Sequence, residues 1–176
     1  MPFAYYDRLS ARDRAVYRKS DAVTALELPH PEGLHGLVAE LRGALGKEER
    51  RGVEAAAGRL AAGLTAQLGL PEVRVQVLAA RPSAGWGELH GLYTREERGP
   101  ARIQLWMRTA RHRRVVAFRT FLRTLLHEVG HHVDYEGLRL GESFHTEGFF
   151  KRESSLFRQL VPAARAQDSG LLPGLK

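Results

Sequence analysis

Two histidines and a glutamate define the chemistry this chain could perform. His127, Glu128, Val129, Gly130 and His131 form the pattern HExxH. On an α-helix, residues four apart share one face, so the imidazoles of His127 and His131 can converge on a single metal ion. Zinc suits such donors and lowers the pKa of a bound water. Glu128, beside the pair, has the proton affinity and reach of a general base. The expected cofactor is Zn2+, and the expected reaction is hydrolysis.

A catalytic zinc site generally has three protein ligands. Five residues downstream compete for the third place: Asp134, Glu142, His145, Glu147 and Glu153. Asp134 is seven residues after His127 and falls on the same helix face. One rigid helix seldom supplies all three ligands, so its expected role is to support a ligand. His145 stands just before a final helix that Ser143 or Thr146 could cap. A loop after His131 could bring it opposite the other two, with Phe149 packed beneath. Glu153 lies on the apolar stripe Phe149, Glu153, Leu156, Leu160, where a carboxylate needs a cation. That cation could be the metal, or an arginine such as Arg119. His132 points about 100° away from His131 and is not expected to ligate.

Positioning these groups requires a buried helix. The run from Val115 to Leu126 continues into the HExxH pattern. Phe118, Phe121, Leu122, Leu125, Leu126 and Val129 form an apolar stripe, with Arg119 and Arg123 off it. Gly137 is the expected end of this helix, and a last helix spans about 147–161 before Pro162. Upstream, helical periodicity covers 7–20, 33–45 and 47–68, the last stopped by Gly69 and Pro71. Val73, Val75 and Val77 alternate with polar residues as a strand. Pro82–Gly87 reads as a loop, and 88–94 and 101–107 as two further strands joined by a turn at 96–100. His90 and Tyr93 could face the cleft and stabilise an oxyanion, although strand packing is the plainer role. Tyr135, Trp86 and Trp106 read as packing residues, and His30 and His35 as surface. Residues 1–70 are read as a helical part of the same domain, 71–162 as the catalytic core and 163–176 as a flexible tail.

Composition bounds the alternatives. The 176 residues suit one domain with a sizeable core. There is no cysteine, hence no disulfide framework and no thiolate ligand. No stretch is apolar enough to span a membrane and the start lacks a signal-peptide core, so the expected location is cytoplasmic. The net charge of +7 favours acidic partners. Its densest cluster is Arg108, Arg111, His112, Arg113 and Arg114, a possible site of non-specific DNA contact.

The block from Gly91 to Phe157 resembles the SprT-like (Spartan-type) zinc metalloproteases. That family has two strands leading into a helix that ends in LLHExxH, then a loop, then a His followed four residues later by Phe. Here Ile103-Gln104-Leu105 stands for the second strand. Leu125-Leu126-His127-Glu128-Val129-Gly130-His131 gives the motif, and His145 precedes Phe149 by four. The resemblance implies His127, His131 and His145 as zinc ligands, Glu128 as base, and a protein or peptide substrate. Thr146 replaces the glycine that follows the family's third His, and the Cys-rich zinc ribbon of many members is lacking. With Glu153 as ligand the chain would instead resemble a minimal gluzincin. The expected fold is α+β and zincin-like: N-terminal helices, a small three-stranded antiparallel or mixed sheet, the HExxH helix and a C-terminal helix. The alternative function is a zinc-binding protein with little or no protease activity, acting as a nucleic-acid-associated or regulatory module.

Overall fold

A computed structural model describes residues 3–84 and 87–162; the expected tail at 163–176 and Trp86 lie outside them. The architecture is α+β, with five α-helices and a three-stranded mixed sheet.

The N-terminal part opens with a 3-10 turn, Tyr6–Arg8, and helix α1, Ala11–Ala22. Sequence periodicity places one helix over 7–20. The chain breaks instead at Ser10, whose side chain accepts the Asp13 amide and caps α1. Helices α2 (Glu32–Gly46) and α3 (Arg50–Gln67) pack together through Leu34, Val38, Leu41, Leu45, Val53, Ala57, Leu60 and Leu64, all buried. Small alanines on α3 let the two helices approach closely. Gly63 assists: a Cβ there would lie 2.6 Å from Leu34 Cδ2.

Strands β1 (Val73–Ala80) and β5 (Ala101–Arg108) pair in parallel, with Val77 opposite Leu105. Strand β4 (Gly91–Thr94) pairs antiparallel on the other side of β5, with Tyr93 opposite Ile103, and forms the sheet edge. Val73, Val77, Ile103, Leu105 and Met107 are buried in the core. The single strand expected over 88–94 is divided. Gly87–Glu88 (β3) pairs with Ser83–Ala84 (β2) as a small hairpin inside the expected loop. Gly87 takes φ +114°, a conformation open mainly to glycine. The Arg81–Glu88 ion pair and the Leu89 N–H to Pro82 carbonyl bond fasten the hairpin and release Leu89 and His90 from the sheet.

Helix α4 runs from Phe118 to His132. It starts three residues after the expected Val115, because Val116 N–H bonds to Met107 and Val115 bridges to Arg108. These two β-branched residues extend the sheet edge rather than a helix. After His132 the helix widens into a π-turn, Val133–Gly137, with Leu138 N–H on the Val133 carbonyl. Helix α5 (Glu147–Leu160) is capped by Thr146, whose hydroxyl accepts the Phe149 amide. Among the described residues no helix is long and apolar enough to cross a membrane.

Candidate metal centre

Two elements bring three imidazoles together: two rings come from α4 and one from the loop before α5. His145 Nε2 lies 3.0 Å from His127 Nε2 and 3.2 Å from His131 Nε2. One ligand atom from each lies within 4.8 Å of the others, so the three histidines are close enough to hold a metal ion. Nitrogens bound tetrahedrally at 2.0–2.1 Å sit about 3.3 Å apart, close to these spacings.

Proton bookkeeping strengthens the fit. His127 Nδ1 is 3.3 Å from Glu153 Oε2, which can only accept, so Nδ1 carries the proton. His131 Nδ1 is 2.7 Å from Ser143 Oγ, and that hydroxyl donates to Asp134 Oδ2 at 2.7 Å. Nδ1 of His131 must therefore donate to Ser143. Both Nε2 atoms face inward as lone pairs, and His145 Nε2 has at most one proton to share between them. A cation satisfies all three. Burial, then His127 and His145, lowers the His131 pKa to about 3, and burial and His127 also lower that of His145. Both rings are thus kept neutral, the form that ligates.

Phe149 closes the floor, with ring centroids 4.9–5.3 Å from the three imidazoles. It reaches this place because residue 130 is glycine; a Cβ there would lie 2.9 Å from Phe149 Cζ.

Glu128 is buried on the same cleft, and burial pushes its carboxyl up to about 7 against the pull of His127 and the Tyr93 amide. Strand β4 runs directly against it. A Cβ on Gly91 would collide with the Glu128 carboxylate and lie 2.8 Å from Thr124 Cγ2. Gly91 is a site residue the sequence reading missed; its only signal was a glycine inside a strand, which marks close backbone approach.

The cleft has a volume of about 660 Å³ and is lined by both walls of this arrangement, including Leu89, Tyr93, Thr124 and Tyr135. Tyr135, read as packing, is a half-buried cleft residue stacked on Tyr93 at 5.9 Å, with the Arg95 guanidinium 4.6 Å from its ring centre. Tyr93 and His90 both line the cleft. The Tyr93 hydroxyl is engaged, however. His132 Nε2 donates to the Pro71 carbonyl, so its Nδ1 accepts the Tyr93 O–H at 3.0 Å. His132 is buried by these bonds and lies outside the cluster, in keeping with its expected orientation.

The remaining third-ligand candidates are placed elsewhere. Glu153 supports His127 and pairs with Arg123 at 3.3 Å; Arg119 instead covers the Phe157 ring. Asp134 is fully buried against Ser143 and Arg152. Glu142 is exposed near Ser10 and Asp13, and Glu147 pairs with Lys151 at 2.7 Å. His35, read as surface, is half-buried on the Gln159 carbonyl, whereas His30 is exposed. Residues 26–30 are tied to Gln159 and Gln67 and do not line the cleft. Trp106 is buried as expected.

Protein-family models, curated proteins and solved structures were all compared with this chain, and none matches.

Proposed function

We propose that the protein is a zinc-dependent peptide-bond hydrolase of zincin type, SprT-like in its motif, with His127, His131 and His145 as metal ligands and Glu128 as general base. The observation that carries this reading is the convergence of three Nε2 atoms, two of them obliged to be lone pairs, in an open cleft that also holds a buried carboxylate. Zinc, when bound, supplies a Lewis acid that polarises a carbonyl and acidifies water. The chain's own residues do the rest. With a proton affinity near neutrality, Glu128 can take a proton from water and return it to the leaving amine. The Tyr93 amide favours the ionised carboxylate, and Gly91 leaves it room against β4. Glu153 fixes the His127 tautomer, so the ring presents Nε2. The edge position of β4 on the cleft leaves a place for an extended peptide beside it.

Metal analysis of protein purified without chelator tests the first half. One zinc per chain is expected, and none in a His127→Ala/His131→Ala variant; equal content in both would reject the site. Glu128→Gln tests the second half. It should keep zinc and lose about 10²–10⁴-fold in hydrolysis of an unfolded protein such as casein. A second reading, a metal-binding module associated with nucleic acid, draws on Arg111, His112, Arg113 and Arg114, all exposed. It requires DNA retention that falls steeply with salt and with neutralisation of those arginines.

A further inference from the structure

Arg152 is 0% exposed, carries a positive charge and lies deep in the fold, a placement that apolar packing does not explain. Its Nη1 donates to the Ser20 and Val23 carbonyls at the end of α1, at 2.6 and 2.7 Å. Its Nη2 donates to Ser20 Oγ and to Asp134 Oδ1, at 3.0 and 2.5 Å. The other Asp134 oxygen accepts from Ser143, and Ser143 accepts from His131 Nδ1. A continuous relay thus joins a buried guanidinium to an imidazole of the histidine cluster.

We propose that Arg152 is a positioning residue for the metal centre, which sets the direction of the relay Arg152–Asp134–Ser143–His131 and so leaves the His131 Nε2 lone pair free for metal. The inference rests on the metal-site reading above.

The chemistry of the groups gives the relay its polarity. A guanidinium only donates, so whatever faces it must accept. Asp134 accepts on both oxygens, which obliges the Ser143 hydroxyl to donate inward. Ser143 then has only lone pairs to offer His131, whose Nδ1 must bear the proton. Reversal at any point would propagate outward. Asn at 134 would keep its carbonyl toward Arg152 and turn its amide toward Ser143. The serine hydroxyl would then be free to donate to His131 Nδ1, moving the ring proton to Nε2, where it blocks ligation. The π-turn contributes by carrying Asp134 into the core, although its distance from His127 in sequence would place it on the ligand face of a regular helix.

The test uses the whole protein, zinc ions alone in competition with a chromophoric chelator, and nitrogen-15 NMR of the metal-free imidazoles. Asp134→Asn should lower zinc affinity about 10–100-fold, the usual cost of losing an outer partner of a ligand. Its His131 proton should move from Nδ1 to Nε2. Arg152→Gln should do the same, because an uncompensated buried Asp134 takes up a proton and presents a donor to Ser143. Arg152→Lys should retain the Nδ1 proton. Ser143→Ala cuts the relay, so adding Asp134→Asn to it should cause no further loss. Wild-type affinity and an Nδ1 proton in Asp134→Asn, or losses that add in the double variant, would overturn the inference and leave the metal site standing. Should the core variants fail to fold, Ser143 decides: Ser143→Thr keeps the hydroxyl and the affinity while Ser143→Ala does not, and equal affinities overturn the proposal. Absence of any His127-dependent zinc binding in the wild type would remove the metal reading itself, and this inference with it.

Discussion

The α2–α3 pair and the α4–α5 pair are both buried two-helix layers, yet they are built from different material. Between α2 and α3 the buried residues are leucine, valine and alanine, and the one buried polar side chain, Thr65, bonds to the nearby Ala62 carbonyl. Around α4 and α5 the described residues bury Glu128, His132, Asp134, Arg152, Ser155 and Gln159. Burial of polar and charged groups costs stability unless each is bonded, so their concentration on one side sets apart the region where the proposed chemistry would sit. The apolar pair packs on the sheet through α3 and β1; the polar pair fixes imidazoles in defined tautomers.

Substitutions can break this division. The largest effect is expected for His145→Ala, which should cost more than about 100-fold in zinc affinity by chelator competition, since direct ligands exceed outer partners. Its apo melting temperature should hardly move, because His145 stands outside the apolar core. Leu60→Ala, in the apolar pair, should show the opposite pattern. A loss of about 2–5 kcal/mol in denaturant unfolding is expected, with unchanged zinc affinity in the folded fraction. If Leu60→Ala weakens zinc as much as His145→Ala does, the two regions are not separable.

Glu128→Gln should be nearly as large, and pH-dependent. The carboxyl titrates at about 7 in the folded chain against about 4.3 in an unfolded one. The unfolded state therefore ionises first as pH rises. Stability is lost between about 4.3 and 7, and the penalty, roughly 4 kcal/mol at most, persists above. Removing the carboxylate should leave the metal-free protein unchanged at pH 4 and raise its melting temperature at pH 8. A gain at pH 4 instead would contradict the buried-acid assignment. The smallest effect is expected from Glu153→Gln, about tenfold in zinc affinity, since the amide can still accept from His127 Nδ1 but lacks the charge. A loss matching that of His145→Ala would make Glu153 a ligand and favour the gluzincin-like arrangement.

The apolar half was the more legible in sequence. Leu34, Val38, Leu41 and Leu45 announce α2 by spacing alone, and α3 ends where Gly69 and Pro71 place it. The histidine cluster was legible in part: the two HExxH histidines by their spacing, and His145 by its position before a Thr146 cap. What periodicity could not show was set by tertiary bonding. Val115 and Val116 fit a helical stripe but pair with the sheet. The π-turn after His132 has no composition of its own, so Asp134 could not be placed in the core. Glu153 was recognised as a carboxylate needing a cation, but its partner proved to be Arg123 rather than Arg119. Gly91 and Tyr135 matter through neighbours distant in sequence; a glycine inside a strand marks close approach there but not which group approaches.

The nearness of the Tyr93 amide to the Glu128 carboxylate has a spectroscopic consequence. The amide faces the carboxylate whose charge state governs the proposed reaction, so its chemical shift should follow that titration. One backbone resonance then reads the protonation of Glu128 in the resting protein, with no label on the side chain and no substrate present. Adding zinc should displace the midpoint to lower pH, because a nearby cation favours the ionised acid.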